Sequence, residues 1–255
     1  MDAKVSISKD RLDRLMVVKG LAASREVAAR SILAGGVTVD GILVDKPAKQ
    51  VALDAQIEVE KPAPYVSRSG EKLAGALDAF SIDPRGLVGL DVGCSTGGFT
   101  DCLLQRGAKR IYAIDVGYGQ IDWKLRQDPR VVLLERTNIR YAKPEMVPEL
   151  IDIAVVDVSF ISLTLVLPSV APFLREGATV VTLVKPQFEV GKGQVGAGGI
   201  VRDDVQRETV AEKVIDCGRR LGLSVDGVMD SPVKGRKGNR EILVSFKYQR
   251  IICVS

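Results

Sequence analysis

Any proton transfer in this 255-residue chain falls to lysine, carboxylate or tyrosine, because the sequence contains no histidine. That absence excludes Ser-His-Asp and Cys-His catalysis, zinc sites built on imidazole, and imidazole proton shuttles. General-base work passes to Lys, Asp, Glu or Tyr. Four such residues stand out by position. Asp157 follows the apolar run Ile151–Val156, and Lys185 follows Thr179–Val184. Glu241 directly precedes Ile242–Phe246, and Lys72 lies ahead of the first strand of the series. Polar residues at the carboxyl ends of strands are where open α/β sheets build their sites. Taken singly, each has a plain alternative as a buried charge capping a strand.

A second group of residues speaks of a ligand. The strand Leu87–Val92 runs into Gly93-Cys94-Ser95-Thr96-Gly97-Gly98, and helical spacing resumes from Phe99 to Arg106. Strand, glycine-rich turn and helix open a doubly wound sheet, with the ligand above the strand ends. Glycines let the backbone approach where side chains would block it. No lysine follows as in a P-loop, and the spacing is not G-x-G-x-x-G. Asp91, just ahead of the glycines, would repel a pyrophosphate but suits a cation such as the sulfonium and amino groups of S-adenosylmethionine. Asp115, at the end of the strand Arg110–Ile114, stands where an acid holds ribose hydroxyls. The pattern predicts S-adenosylmethionine as cofactor, with Asp91, Gly93, Ser95, Thr96, Gly97, Gly98, Phe99 and Asp115 around it. Ser69-Gly70-Glu71-Lys72 also spells the S-x-x-K of serine acylases, but no S-D-N or K-T-G partner follows.

The elements that must hold these residues make two domains. Apolar residues are 46% of the chain and charged residues 27%, ordinary for a globular protein, and a formal charge of +4 permits a nucleic-acid partner without requiring one. Cys94, Cys102, Cys217 and Cys253 show no C-x-x-C spacing, and scattered thiols fit a reducing, cytoplasmic setting. Met1–Asp10 does not read as a signal peptide, and no stretch reaches the roughly 20 apolar residues of a membrane span. Between residues 11 and 33 the spacing predicts two short helices, the second capped by Ser24 and stopped by Gly35-Gly36. Asp40-Gly41 between Val37–Val39 and Ile42–Val44 predicts a hairpin. Arg11, Arg14, Arg25 and Arg30 lie on the helix pair, in a segment nearly balanced in charge, so charge alone favours an ordinary solvated face. The order helix, Ser24-Arg25 turn, helix, glycine pair and hairpin, followed by Lys46-Pro47, resembles the S4 RNA-binding domain. That resemblance implies Arg11, Arg14, Ser24, Arg25 and Arg30 as RNA contacts that read backbone and shape. Lys61-Pro62-Ala63-Pro64 reads as a linker.

The ordered set Lys72, Asp157, Lys185 and Glu241 resembles the tetrad of the heat-shock methyltransferase-like (FtsJ-like) family, which methylates ribose 2′-hydroxyls. A lysine becomes an adequate base as its pKa falls from about 10.4 toward neutrality, which burial and a second ammonium favour. Lys185 is then expected as the base, Lys72 as its like-charge neighbour, and Asp157 and Glu241 as orienting groups. Longer runs narrow the resemblance: Val66-Ser67-Arg68, Ser95–Thr100, Asp115–Gln120, Glu135-Arg136-Thr137-Asn138, Ser159–Ser162 and Lys185–Gly191. They are similar to the TlyA-type ribosomal RNA cytidine 2′-O-methyltransferases, in which relatives can carry Trp at the place of Tyr65. This resemblance implies 23S rRNA, and for some members 16S rRNA, as substrate within ribosomal subunits, with no metal and no membrane. It adds Asn138 and Asp157 to the cofactor site, and Arg68 and Lys192 to the RNA contacts. A basic stretch, Lys234, Arg236, Lys237 and Arg240, adds Lys234 and Arg236 as candidate phosphate contacts, with a solvated loop as the alternative. The expected fold class is α/β. It comprises a small α+β S4-like domain (1–61), a linker (62–67) and a Rossmann-like methyltransferase domain with a mostly parallel, doubly wound sheet (68–255). The competing functions are a non-catalytic RNA-binding or ribosome-assembly factor and a cytolysin. The oligomeric state is left open.

Overall fold

The computed structural model describes residues 8–60, 63–191, 195–235 and 238–250. Lys192, Arg236, Lys237 and Cys253 lie outside the described residues. The chain divides into two compact units, Met1–Ala63 and Pro64–Ser255.

In the first unit, strand β1 (Lys9–Arg11) leads into helices α1 (Leu12–Val18) and α2 (Arg25–Leu33). Four short strands follow: β2 (Val37–Val39), β3 (Ile42–Leu43), β4 (Gln50–Ala52) and β5 (Ile57–Val59). Ser24 caps α2, its hydroxyl accepting from the Val27 N–H at 3.3 Å. Asp40 (φ 51°) and Gly41 (φ 76°) both take the left-handed backbone that a two-residue hairpin turn demands. β2 is central to an antiparallel sheet in the order β3-β2-β5, and β1 pairs with β4 separately. Leu12, Leu15, Met16, Ala28, Ile32, Val37, Val39 and Val51 close a small core. With so few apolar residues, most are needed simply to hold the unit together.

The second unit opens with α3 (Ser69–Ala79), then β6 (Val88–Val92), α4 (Gly98–Gln105), β7 (Arg110–Ile114), the single turn α5 (Trp123–Arg126) and β8 (Val131–Leu134). After β9 (Ile151–Val156) come the short helix α6 (Leu167–Val170), β10 (Leu174–Val184), the one-turn α7 (Pro186–Glu189), α8 (Asp204–Arg220), β11 (Leu223–Asp230) and β12 (Ile242–Tyr248). Seven strands form one sheet in the order β11-β12-β10-β9-β6-β7-β8. All neighbours are parallel except β12, which runs antiparallel to both β10 and β11.

Alternate side chains feed two cores, as the two-residue strand period requires. Leu90, Tyr112, Ala154 and Val156 face one side with Val210, Val214 and Ile215 of α8. Ile111, Ala113, Ile153 and Val155 face the other with Leu73 and Leu77 of α3 and Phe99 and Leu103 of α4. The chain leaves β6 toward β7 and β8, then crosses to β9 on the other flank. The switch point therefore lies between β6 and β9, where doubly wound sheets open a crevice above the strand ends.

Candidate active site at the sheet switch point

The glycine loop lies over that crevice. Gly93 (φ 85°) and Gly97 (φ 95°) take backbone that side chains resist, and a Cβ at Gly93 would meet the Asp157 carbonyl at 2.6 Å. A Cβ at Gly98 would overlap the Ser67 and Ser69 hydroxyls. Ser95 and Thr96 are exposed, whereas Phe99 packs into the core beside α3, so its ring faces away from the crevice. Asp115 accepts from the N–H groups of Ser95 and Gly117, each at 2.7 Å, which ties the loop to the end of β7. Asn138 accepts from the Arg140 N–H at 3.1 Å, and the Thr137 N–H donates to the Asp115 carbonyl at 2.9 Å.

Asp91 is placed differently from a side chain reaching for a ligand. It is fully buried under the loop, and its Oδ2 accepts from the Thr100 N–H at 2.9 Å and the Thr100 hydroxyl at 2.6 Å. Its Oδ1 has no hydrogen-bond partner among the described residues. Burial pushes its carboxyl up to about 7, with the negative charge of Asp157 adding to the rise. Asp91 thus holds the first turn of α4. Thr100, its partner, was quoted only within a motif run.

The four lysine and carboxylate candidates come together at one end of the sheet as two pairs. Lys72 Nζ donates to Glu241 Oε2 at 2.5 Å, with side chains 10% and 3% exposed. Lys185 Nζ lies 2.6 Å from Asp157 Oδ1, off the axis of a good hydrogen bond, and donates instead to Ser159 Oγ at 2.9 Å. Strand register explains the meeting. Val184 pairs with Ile242, so Lys185 and Glu241 stand one step beyond on adjacent strands, and β12 reaches this edge only because it runs antiparallel. Gly235 makes room, since a Cβ there would overlap the Glu241 carboxylate. Each ammonium is thus paired first with a carboxylate; Lys72 answers to Glu241.

The loop after β9 forms the rim. Phe160 is 90% exposed at φ 64°, a conformation costing a bulky residue about 1–2 kcal/mol. Its ring centroid is 5.0 Å from that of Phe188. Ser159, Phe160 and Glu189 belong to the quoted runs Ser159–Ser162 and Lys185–Gly191, yet spacing alone gave them no role. Arg68 and Lys234 are exposed. Arg240 is bonded to Asp204 at 2.8 Å and Asp230 at 2.9 Å, which makes it a brace behind Glu241.

In the first unit Arg11 ends β1 just ahead of α1, Arg14 lies on α1, and Arg25 and Arg30 lie on α2. Arg11 (3.0 and 2.8 Å) and Arg25 (3.2 Å) both donate to Asp13, a carboxylate 4% exposed. The Arg11 hydrogen bond comes first in holding Asp13 down at about 2. Arg14 approaches Asp10 at 3.5 Å, and Arg30 is exposed. The Ser24 hydroxyl is engaged as a helix cap.

A parallel sheet with one inserted antiparallel strand, a glycine loop at its switch point and acids at three strand ends define a methyltransferase, here preceded by a small helix-and-hairpin unit. Family profiles agree: FtsJ-like methyltransferase matches residues 65–248, and S4 domain matches residues 10–57. The 16S/23S rRNA (cytidine-2′-O)-methyltransferase TlyA of Mycobacterium tuberculosis is 47% identical over 94% of this chain and 90% of its own length. Hemolysin A of Brachyspira hyodysenteriae is 45% identical over 92% of this chain and 99% of its own. A solved Streptococcus thermophilus structure, also bearing a hemolysin name, shares 42% identity at a TM-score of 0.72, covering 98% of this chain and 94% of that one. The chain belongs to the TlyA family of FtsJ-like methyltransferases. Among the described residues no helix is long and apolar enough to cross a membrane, and no group of side chains could hold a metal ion.

Proposed function

We propose that this chain methylates the 2′-hydroxyl of a cytidine ribose in ribosomal RNA, in 23S rRNA with 16S rRNA as a second substrate, drawing the methyl group from S-adenosylmethionine in the cytoplasm. The observation that carries this reading is the meeting of Lys185–Asp157 and Lys72–Glu241 at the strand ends beside the glycine loop. When bound, S-adenosylmethionine supplies an electrophilic methyl on a positively charged sulfur. The chain fits such a cation. Asp91 Oδ1 lacks a hydrogen-bond partner among the described residues, and three acids crowd the loop. Asp115 and Asn138 would hold ribose hydroxyls, since a carboxylate has about four lone-pair sites and Asp115 uses two on backbone donors.

Lys185 would accept the ribose hydroxyl proton, leaving the oxygen free to take the electrophilic methyl that the bound cofactor would supply. Asp157, paired with Lys185 at 2.6 Å, would orient the amine. Lys72 and Glu241 position the hydroxyl, a role that alignment alone can make large. The exposed Phe160 ring suits a base drawn out of its stack, which stacking stabilises by about 1–3 kcal/mol. Arg68, Lys192, Lys234 and Arg236, and in the first unit Arg11, Arg14, Arg25 and Arg30, would each neutralise RNA phosphates.

Incubation with purified ribosomal subunits and radiolabelled S-adenosylmethionine, followed by mapping of the modified nucleotide, tests the reading. A methyl group on a cytidine 2′-oxygen is expected. RNA binding without transfer would instead mark an assembly factor.

A further inference from the structure

The segments after β9 and β10 meet through Lys185 with Asp157 and Ser159 and through the Phe160 and Phe188 rings, and a further tie, at Glu189, has no role in the chemistry above. Lys185 Nζ donates to Ser159 Oγ at 2.9 Å. At the other end of α7, Glu189 accepts from the Ser162 hydroxyl at 2.6 Å and from the Leu163 N–H at 2.7 Å. Glu189 is only 5% exposed, and a carboxylate so far from water calls for a specific reason. Burial pushes its carboxyl up, with Ser162 and then Leu163 opposing. Between the two ties lies Phe160, whose left-handed backbone is disfavoured for a bulky side chain. The loop has no strand or helix pairing of its own from Asp157 to Ser162. Without the Glu189 clasp, the strained residue would relax and carry the Ser159 hydroxyl off the lysine.

We propose that Glu189 is a positioning residue that clasps Ser162 and Leu163, holds the 159–163 loop in its strained form, and so keeps Ser159 on Lys185 and the amine aimed at the incoming hydroxyl. The proposal rests on the reading of Lys185 as the base. α7 thereby joins the base at its start to the clasp at its end.

Glu189→Ala and Glu189→Gln in the full chain test it. Glutamine keeps an acceptor for the Leu163 N–H and an amide facing Ser162. Glu189→Ala should lower kcat on ribosomal subunits by about ten-fold or more, as small misplacements do. It should leave the S-adenosylmethionine Kd unchanged and accelerate hydrogen exchange at the Leu163 amide. Glu189→Gln should restore kcat and exchange protection. Leu223→Ala, at the far end of the sheet, lowers stability without touching the loop and should keep kcat. Wild-type kcat in Glu189→Ala despite faster Leu163 exchange, a Gln variant as slow as Ala, or an equal kcat loss in Leu223→Ala would each overturn the clasp. Full activity in Lys185→Met would remove the base reading itself, a distinguishable failure.

Discussion

Substitution should separate the two lysine pairs. Lys72→Met leaves Glu241 charged at 3% exposure, and stranding one member of a buried pair costs about 3–5 kcal/mol. Lys185→Met leaves Asp157 near the crevice opening at 16% exposure, where the cost is about 1 kcal/mol. Urea unfolding should rank them in that order, while both variants lose methyl transfer. Retained transfer in Lys185→Met with loss in Lys72→Met would reverse their roles. Asp91 adds a pH dependence. Its folded carboxyl, pushed to about 7 from an ordinary 3.8, keeps a proton between pH 4 and 7 that the unfolded chain has released. Stability therefore falls as pH rises through that window. Asp91→Asn should flatten the fall in chemical unfolding at pH 5 and pH 8. Seating a cation favours the ionised acid, so cofactor binding at pH 6 should release a proton, read by calorimetry in buffers of different ionisation enthalpy.

At the scale of elements, α1 and α2 are joined through Asp13, which receives Arg11 and Arg25. Its carboxyl lies near 2 when folded, against 3.8 ordinarily. That contribution is present above about pH 4 and lost as pH falls through 2. With both arginines half in solvent, Asp13→Asn should cost about 1–2 kcal/mol at pH 7, seen as weaker hydrogen-exchange protection in both helices and little change near pH 2. The sequence made legible what local chemistry decides: the Ser24 cap, the Asp40-Gly41 hairpin, the glycine loop and the apolar strands carrying Asp115, Asp157 and Lys185. It hid what tertiary pairing decides. β1, β4 and β5 are three residues each and mixed in character, so their partners define them. β11 is an edge strand whose alternation is broken by a bulge between Val225 and Gly227. The site was readable as a set of residues but not as pairs, because the β10–β12 register brings Glu241 to this edge and the packing of α3 brings Lys72 to meet it. Spacing also leaves hidden that the Asp91 carboxylate is bonded to Thr100 beneath the loop.

Each of the two units has its own core. A chain starting at Pro64 should fold and bind S-adenosylmethionine within about three-fold of the full chain, while RNA affinity falls about ten-fold or more and loses part of its salt dependence. Calorimetry and filter binding at two salt concentrations check this; equal RNA affinity would deny the S4 unit its part. The antiparallel β12 has one more consequence, in the order of synthesis. Glu241 is the last of the four residues to leave the ribosome, and it must slot between strands made earlier and later than one another by whole helices. A nascent chain displaying the glycine loop, Asp157 and Lys185 would already carry the proposed cofactor residues while lacking Glu241. On the proposed reading competence comes in a single late step, and a product terminated before residue 241 should bind cofactor without transferring its methyl group.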